Sequence, residues 1–157
     1  MVITPVTQAL DALKTPFRFF LHSGQVHSVE QAALERGLSI DQVVRSIVFR
    51  AGPDYYVMVL VTGTRQISWP RFRKYLKQSR LTLATEEEVL RVTGYQTGAV
   101  SPLGLHKPMR ILVDQSVLGE EEVSIGAGVR NAAIILKTFD LLSALGQVEI
   151  VQFTVEK

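Results

Sequence analysis

No cysteine occurs among the 157 residues, which excludes disulfides, thiolate metal sites and cysteine nucleophiles together. That absence suits a reducing compartment, and a cytoplasmic protein is expected. Net charge is scarce as well: 17 Lys and Arg against 15 Asp and Glu leave +2, too little to attract a nucleic acid in bulk. No uninterrupted apolar run approaches the roughly 18 residues of a membrane-spanning helix, so no membrane partner is expected. The opening MVITPVTQALDALK lacks the basic start and unbroken apolar stretch of a secretory signal and reads as a first helix. Also missing are the GxSxG elbow, the P-loop, HExxH and the dinucleotide fingerprint. His22, His27 and His106 are scattered and build no metal site. A Ser-His-Asp triad assembled in space stays open, because triads ignore chain order.

What is present has the composition of an ordinary globular protein, 46% apolar and 20% charged, and the length suits one domain over residues 1–157. The small net charge hides a patch. From Arg65 to Arg80 the sequence RQISWPRFRKYLKQSR holds six basic residues and no acid, while acids gather at Glu86 to Glu88 and Glu120 to Glu122. The surface is therefore polarised.

Thr4 and Pro5 open a helix running to about Leu13, and Arg18 to His22 reads as a short strand. Ser28 and Gln31 have the spacing of a capping box for a helix that Gly37 ends. Val43 to Arg50 and Tyr55 to Thr62 make a hairpin through Ala-Gly-Pro-Asp. Ser68 begins a helix with Trp69, Phe72, Tyr75 and Leu76 on one side and Arg71, Arg73, Lys74 and Lys77 on the other. Thr85 with Glu88 caps a helix ending near Gly94. Strands follow at Arg110 to Asp114, Glu122 to Gly126, Asn131 to Lys137 and Val148 to Thr154, with a short helix from Thr138 to Leu145. Helices and strands interleave irregularly, which predicts an α+β (mixed α/β) domain whose mixed, largely antiparallel sheet is surrounded by helices.

Gly94 to Leu105 reads GYQTGAVSPLGL, with three glycines and no charge, which is unusual for a loop in water. With GAGVRN (Gly126 to Asn131) it forms a pair of glycine-bearing segments whose amides can converge on an oxyanion or carbonyl oxygen. Tight turns between strands would use glycine equally well, and the cationic helix strip reads equally well as a solvated face.

The segments VVRSIVFR, VTGTRQIS, ATEEEVLRVTGYQTGAVSPLGL, RILVD and IGAGVRNAAIIL, in this order, resemble the YbaK/prolyl-tRNA synthetase-associated editing domain family from about VHSVEQAA to the end. The resemblance implies a hydrolase that cleaves the ester between a wrong amino acid and its tRNA, with tRNA for proline carrying a small residue as the expected substrate. It implies attack by water assisted by the vicinal ribose hydroxyl, without metal, cofactor or covalent nucleophile. The implied partners are the acceptor end of aminoacyl-tRNA and prolyl-tRNA synthetase, and a monomer or weak homodimer is expected. In that family the GxxxP loop borders the aminoacyl pocket; here it is Gly98-Ala99-Val100-Ser101-Pro102. Gly98, Ser101 and Pro102 are thereby implied at the reacting ester and Ala99 and Val100 beside the substrate. Gly126 and Gly128 would let the tRNA end approach the backbone, with Asn131 as a polar contact. Arg71, Arg73, Lys74 and Lys77 would meet the acceptor stem through charge alone. Arg45 stands where the family commonly has lysine, heading a strand that reads K-[ST/N], and would hold the 3′-terminal phosphate or ribose. Two other readings are a tRNA- or synthetase-binding module that has lost turnover through that change, and an esterase for a small non-RNA ester.

Overall fold

The computed structural model of the protein describes residues 2–155. Helix α1 (Pro5–Ala12) starts where Thr4 accepts from the Thr7 amide and Thr7 answers with its own hydroxyl. Strand β1 (Arg18–Leu21) and helix α2 (Val29–Arg36) follow, α2 capped by Ser28 and ended by Gly37 at φ 72°. The hairpin β2 (Val44–Gly52) and β3 (Tyr55–Thr62) leads through β4 (Gln66–Ile67) to α3 (Trp69–Leu76). Then come β5 (Thr82–Leu83), α4 (Glu86–Thr93), β6 (Arg110–Asp114), β7 (Glu122–Gly126) and β8 (Ala132–Lys137). Helix α5 (Thr138–Leu145) and the short β9 (Glu149–Val151) and β10 (Thr154–Val155) complete the described chain. None of these helices is long and apolar enough to cross a membrane.

A five-stranded sheet runs in the order β5-β2-β3-β6-β9, antiparallel up to β3 and parallel beyond it. A three-stranded antiparallel sheet, β1-β8-β7, is fastened to it by a parallel bridge between Val43 and Ser124. Strand β3 is central and covered on both faces, so its apolar run alternates between two cores. Met58 and Leu60 enter the larger core with Ile125, Ile134 and Leu136. Val57, Val59 and Val61 enter a second core with Phe49, Phe72 and Phe153, beneath α3. This is the mixed, largely antiparallel α/β architecture that the irregular order of elements predicts.

Three local expectations change. The segment Val148 to Thr154 is not one strand but β9 and β10, which join different sheets. Phe153 causes the break: its ring is fully buried and stacked on Phe72 at 5.4 Å, its amide donates to Asp114 Oδ1, and its carbonyl accepts from the Ser68 amide. In the hairpin, β2 runs on to Gly52 with a register slip after Arg50, and the turn narrows to Pro53 and Asp54. Lys77 lies beyond α3 as its left-handed cap, at φ 56°.

The edge strand β9 is held by charge. Arg110 grips Glu149 with two bonds of 2.6 and 2.7 Å, and the Tyr75 hydroxyl on α3 donates to the same carboxylate at 2.6 Å. The arginine bonds, and then Tyr75, hold the Glu149 carboxyl down to about 2 from the usual 4.5. A depressed folded pKa stabilises above the unfolded value, so this contribution weakens as pH falls below about 4.5 and is gone below about 2. The Glu149 side chain is 38% exposed, and solvent screening reduces the contribution to about 1 kcal/mol. Glu149→Gln is expected to flatten the loss of melting temperature between pH 7 and pH 3; an unchanged slope removes the pair from acid stability.

Candidate functional site

Where the two sheets meet, a cleft of about 770 Å³ opens between α2, β2, the 97–100 loop and the ends of β7 and β8. Its apolar walls come from positions that alternate inward, among them Val44 and Val48 of β2 and Ile125 of β7.

Part of the uncharged loop is interior. Tyr95, Ala99, Ser101 and Leu103 are all at most 5% exposed, and the Tyr95 hydroxyl donates to the carbonyls of Leu103 and Gly104. Gly104, at φ 66°, lies so close to α1 that a Cβ would stand 2.6 Å from the Pro5 carbonyl oxygen. Only one edge of the loop, Thr97, Gly98 and Val100, reaches the cleft. Among the described residues no acceptor is found for the amides of Gly98 and Val100, whereas the Ala99 amide is taken by the Gln96 carbonyl. Ser101 accepts from the Leu103 amide and, like Pro102, is buried away from the lining.

Gly126 explains how the loop reaches the cleft. A Cβ there would lie 1.9 Å from the Val100 carbonyl oxygen, so only glycine lets β7 and the loop meet. Gly128 serves packing instead: its amide donates to Ala99, and Thr4, Val6 and Tyr95 surround it. Asn131 borders the cleft in the left-handed region, φ 61°, and clips the loop before α2 by accepting from the Val26 amide.

Three arginines border the same cleft: Arg36, Arg45 and Arg130. Val44 and Val48 mark the cleft side of β2, and Ile47 and Phe49 the α3 side, so alternation sets Ser46 with the former and Arg45 with the latter. Arg45 Nε donates to the Gly63 carbonyl at 2.7 Å and its Nη2 to the Arg65 carbonyl, which secures the turn after β3. Burial lowers its pKa, with no carboxylate to oppose it. Arg130 folds over the loop, Nε to the Thr97 carbonyl at 3.3 Å. Arg36 is held by His22 and Ser124 deeper in the cleft. Ser46 carries no motif of its own, although it occupies the [ST/N] position beside Arg45. Its Oγ is buried, and no partner for it is found among the described residues. Arg36 and Arg130 carried no sequence signal, since each is an isolated arginine in a helix or turn.

The cationic helix does not join this group. Phe72 and Leu76 seat α3 on the opposite face of the five-stranded sheet, which leaves Arg71, Lys74 and Lys77 exposed and Arg73 half-buried there.

Residues 23–144 match the family model described as an aminoacyl-tRNA editing domain. The proline-tRNA ligase of Thermosipho melanesiensis is 31% identical over 114 residues, which are 73% of this chain and 20% of the ligase. That of Bacillus subtilis is 29% identical over 107 residues, 68% of this chain and 19% of the ligase. The chain thus spans about a fifth of the length of these relatives. A crystal structure described as a candidate trans-editing enzyme for prolyl-tRNA synthetase superposes with a TM-score of 0.86 at 24% identity, covering 99% of this chain and 100% of the other.

The two cleft glycines differ in what replacement does. Gly126→Ala forces β7 and the loop apart and is expected to cost about 1–3 kcal/mol. Gly98→Ala meets no near neighbour, since only Arg130 comes within 4.0 Å, and carries just the strain of φ 92°, about 1 kcal/mol. Denaturant unfolding of both variants checks the order; a milder Gly126→Ala contradicts the close approach.

Proposed function

Because the chain belongs to the aminoacyl-tRNA editing domain family, we propose that it is a hydrolase acting in trans on tRNA for proline that carries a small wrong amino acid. The observation that supports this best is the edge of the uncharged loop. Gly98 and Val100 line a cleft bordered by three arginines, and their amides find no acceptor among the described residues. Amides fixed in that way stabilise charge that develops on a carbonyl oxygen, at no cost of reorganisation. In the proposed step water adds to the ester carbon and the carbonyl oxygen turns its negative charge toward those amides. The ribose C–O bond to the acyl carbon then breaks, the ribose oxygen takes a proton, and the amino acid leaves as a carboxylate. The neighbouring ribose hydroxyl orients the water, so the protein needs no nucleophile of its own. Ser46 supplies a further polar contact, and Arg130 at the mouth meets the terminal phosphate.

A second reading, a tRNA-binding module without turnover, draws on Arg45. Two of its donors are committed to the Gly63 and Arg65 carbonyls, which makes it a positioning residue rather than a free phosphate ligand. Single-turnover deacylation of alanyl-, cysteinyl-, seryl- and threonyl-tRNA for proline, and of one unrelated tRNA, separates the readings. Release of at least one amino acid is expected from wild type. Arg45→Lys keeps one of the two carbonyl bonds and should retain most of the rate, while Arg45→Ala should lose roughly tenfold or more through the loosened turn. Equal rates for all three proteins remove Arg45 from the site, and no release from any tRNA leaves the binding module.

Because α3 lies across the sheet from the cleft, its cations would add affinity for the acceptor stem without touching the ester. Reversing Lys74 and Lys77 to glutamate is expected to weaken tRNA binding and flatten its salt dependence by about one to two units of slope. The rate at saturating protein should not change. An unaltered salt slope makes the strip a solvated face.

A further inference from the structure

The deep end of the cleft is organised around a buried histidine that the proposed chemistry does not use. The His22 side chain is wholly buried, edge-on to Phe20 at 4.9 Å, and its amide donates to the Asn131 carbonyl. Arg36 Nε donates to His22 Nε2 at 3.1 Å. With that lone pair taken, the ring proton sits on Nδ1, which donates to Glu35 Oε1 at 2.7 Å. Gln31 steadies the same carboxylate through Oε2 at 2.8 Å. Arg36 Nη1 donates to Ser124 Oγ at 2.9 Å, and Ser124 is fully buried at the bridge that joins the two sheets. The guanidinium plane is therefore fixed at two of its three nitrogens.

The third nitrogen is unspent. None of the described residues accepts from Nη2, and Arg36 lines the cleft beside Val29, Ala32, Val43 and Ile125. Burial pushes the Arg36 pKa down to about 10, with Glu35 opposing, so the group is still a cation at neutral pH. A donor on a fixed, partly desolvated cation inside an apolar collar rewards a ligand oxygen and gains nothing from a methyl group of the same size. It favours a neutral oxygen over an anion. Glu35 already faces the guanidinium through His22, and Glu86 lines the same cleft, so a carboxylate would meet two of its own sign.

We propose that Arg36 determines specificity: it selects an aminoacyl group whose small side chain ends in a hydroxyl over the isosteric apolar one, with His22 and Glu35 as positioning residues. This rests on the deacylase reading for the identity of the ligand, but not on turnover. A pocket built to bond a substrate oxygen discriminates much more strongly than one that measures a methylene.

Stable 3′-aminoacylamino-3′-deoxyadenosines carrying threonine or valine, and serine or 2-aminobutyrate, test the selection by calorimetric titration. Wild type is expected to prefer each hydroxyl-bearing compound by about tenfold or more. Arg36→Leu should bring each pair to within about twofold, with valine and 2-aminobutyrate compounds bound as tightly as before. Arg36→Lys, which cannot reach His22, Ser124 and ligand together, keeps the charge and should retain only a small part of the preference, should Arg36→Leu fail to fold. No preference in wild type, no binding of any compound, or equal weakening of both members of each pair by the substitution overturns the proposal. Hydrolysis of threonyl- and valyl-tRNA by the same proteins separates it from the deacylase reading. Turnover without preference ends this proposal alone, and preference without turnover ends the deacylase reading alone.

Discussion

The cleft exists because the Val100 carbonyl occupies the space that a side chain of residue 126 would fill. That approach brings the last residue of β7 under the loop after α4 and leaves the loop edge at Gly98 and Val100 facing the gap between the sheets. The supports around it follow from the same need. Tyr95 ties the loop's two ends together, Gly128 accepts its burial against α1, and the Gly128 amide bonds to Ala99. An uncharged sequence suits this stretch because Tyr95, Ala99 and Ser101 to Leu103 are interior, where a charge would lose its water without gaining a partner.

Electrostatically, the cleft differs from the rest of the surface in what its arginines touch. Arg18, Arg50 and Arg110 are each paired with a glutamate, so their charge is largely cancelled. Arg36, Arg45 and Arg130 are held instead by a neutral imidazole, a serine hydroxyl and backbone carbonyls. Neutral acceptors fix a guanidinium in place without cancelling its charge, although at Arg45 two donors are spent on the turn after β3. Partial burial strengthens that charge toward an incoming ligand oxygen, because less water screens it. The overall charge of +2 conceals this arrangement completely.

The segments most readable along the chain were those governed by local rules. Thr4, Ser28, Ser68 and Thr85 cap the helices they precede, and Tyr55 to Thr62 forms a strand at the very residues its apolar run covers. Val148 to Thr154 misled because its apolar pattern is continuous, while the burial of Phe153 under α3 is a long-range event that no neighbouring residue announces. Ser46, Arg36 and Arg130 were silent for a related reason. A single polar residue beside an apolar wall has no periodicity, and its meaning depends on what lies across the gap.

The sequence by itself therefore determined the kind of fold, the family resemblance and the two glycine-bearing segments, since caps, alternation and motif spacing are properties of neighbouring residues. It also determined what the protein lacks, thiol chemistry above all. Only the tertiary structure decided that Gly98, Val100 and Gly126 share one cleft, while Ser101 and Pro102 are buried behind it and Gly128 packs against α1. It alone set the cationic helix on the far face of the sheet and joined Arg36 to a histidine 14 residues away and a serine 88 residues away. Those placements depend on which faces the sheets and helices bury against one another, and that choice is made by packing across the whole chain.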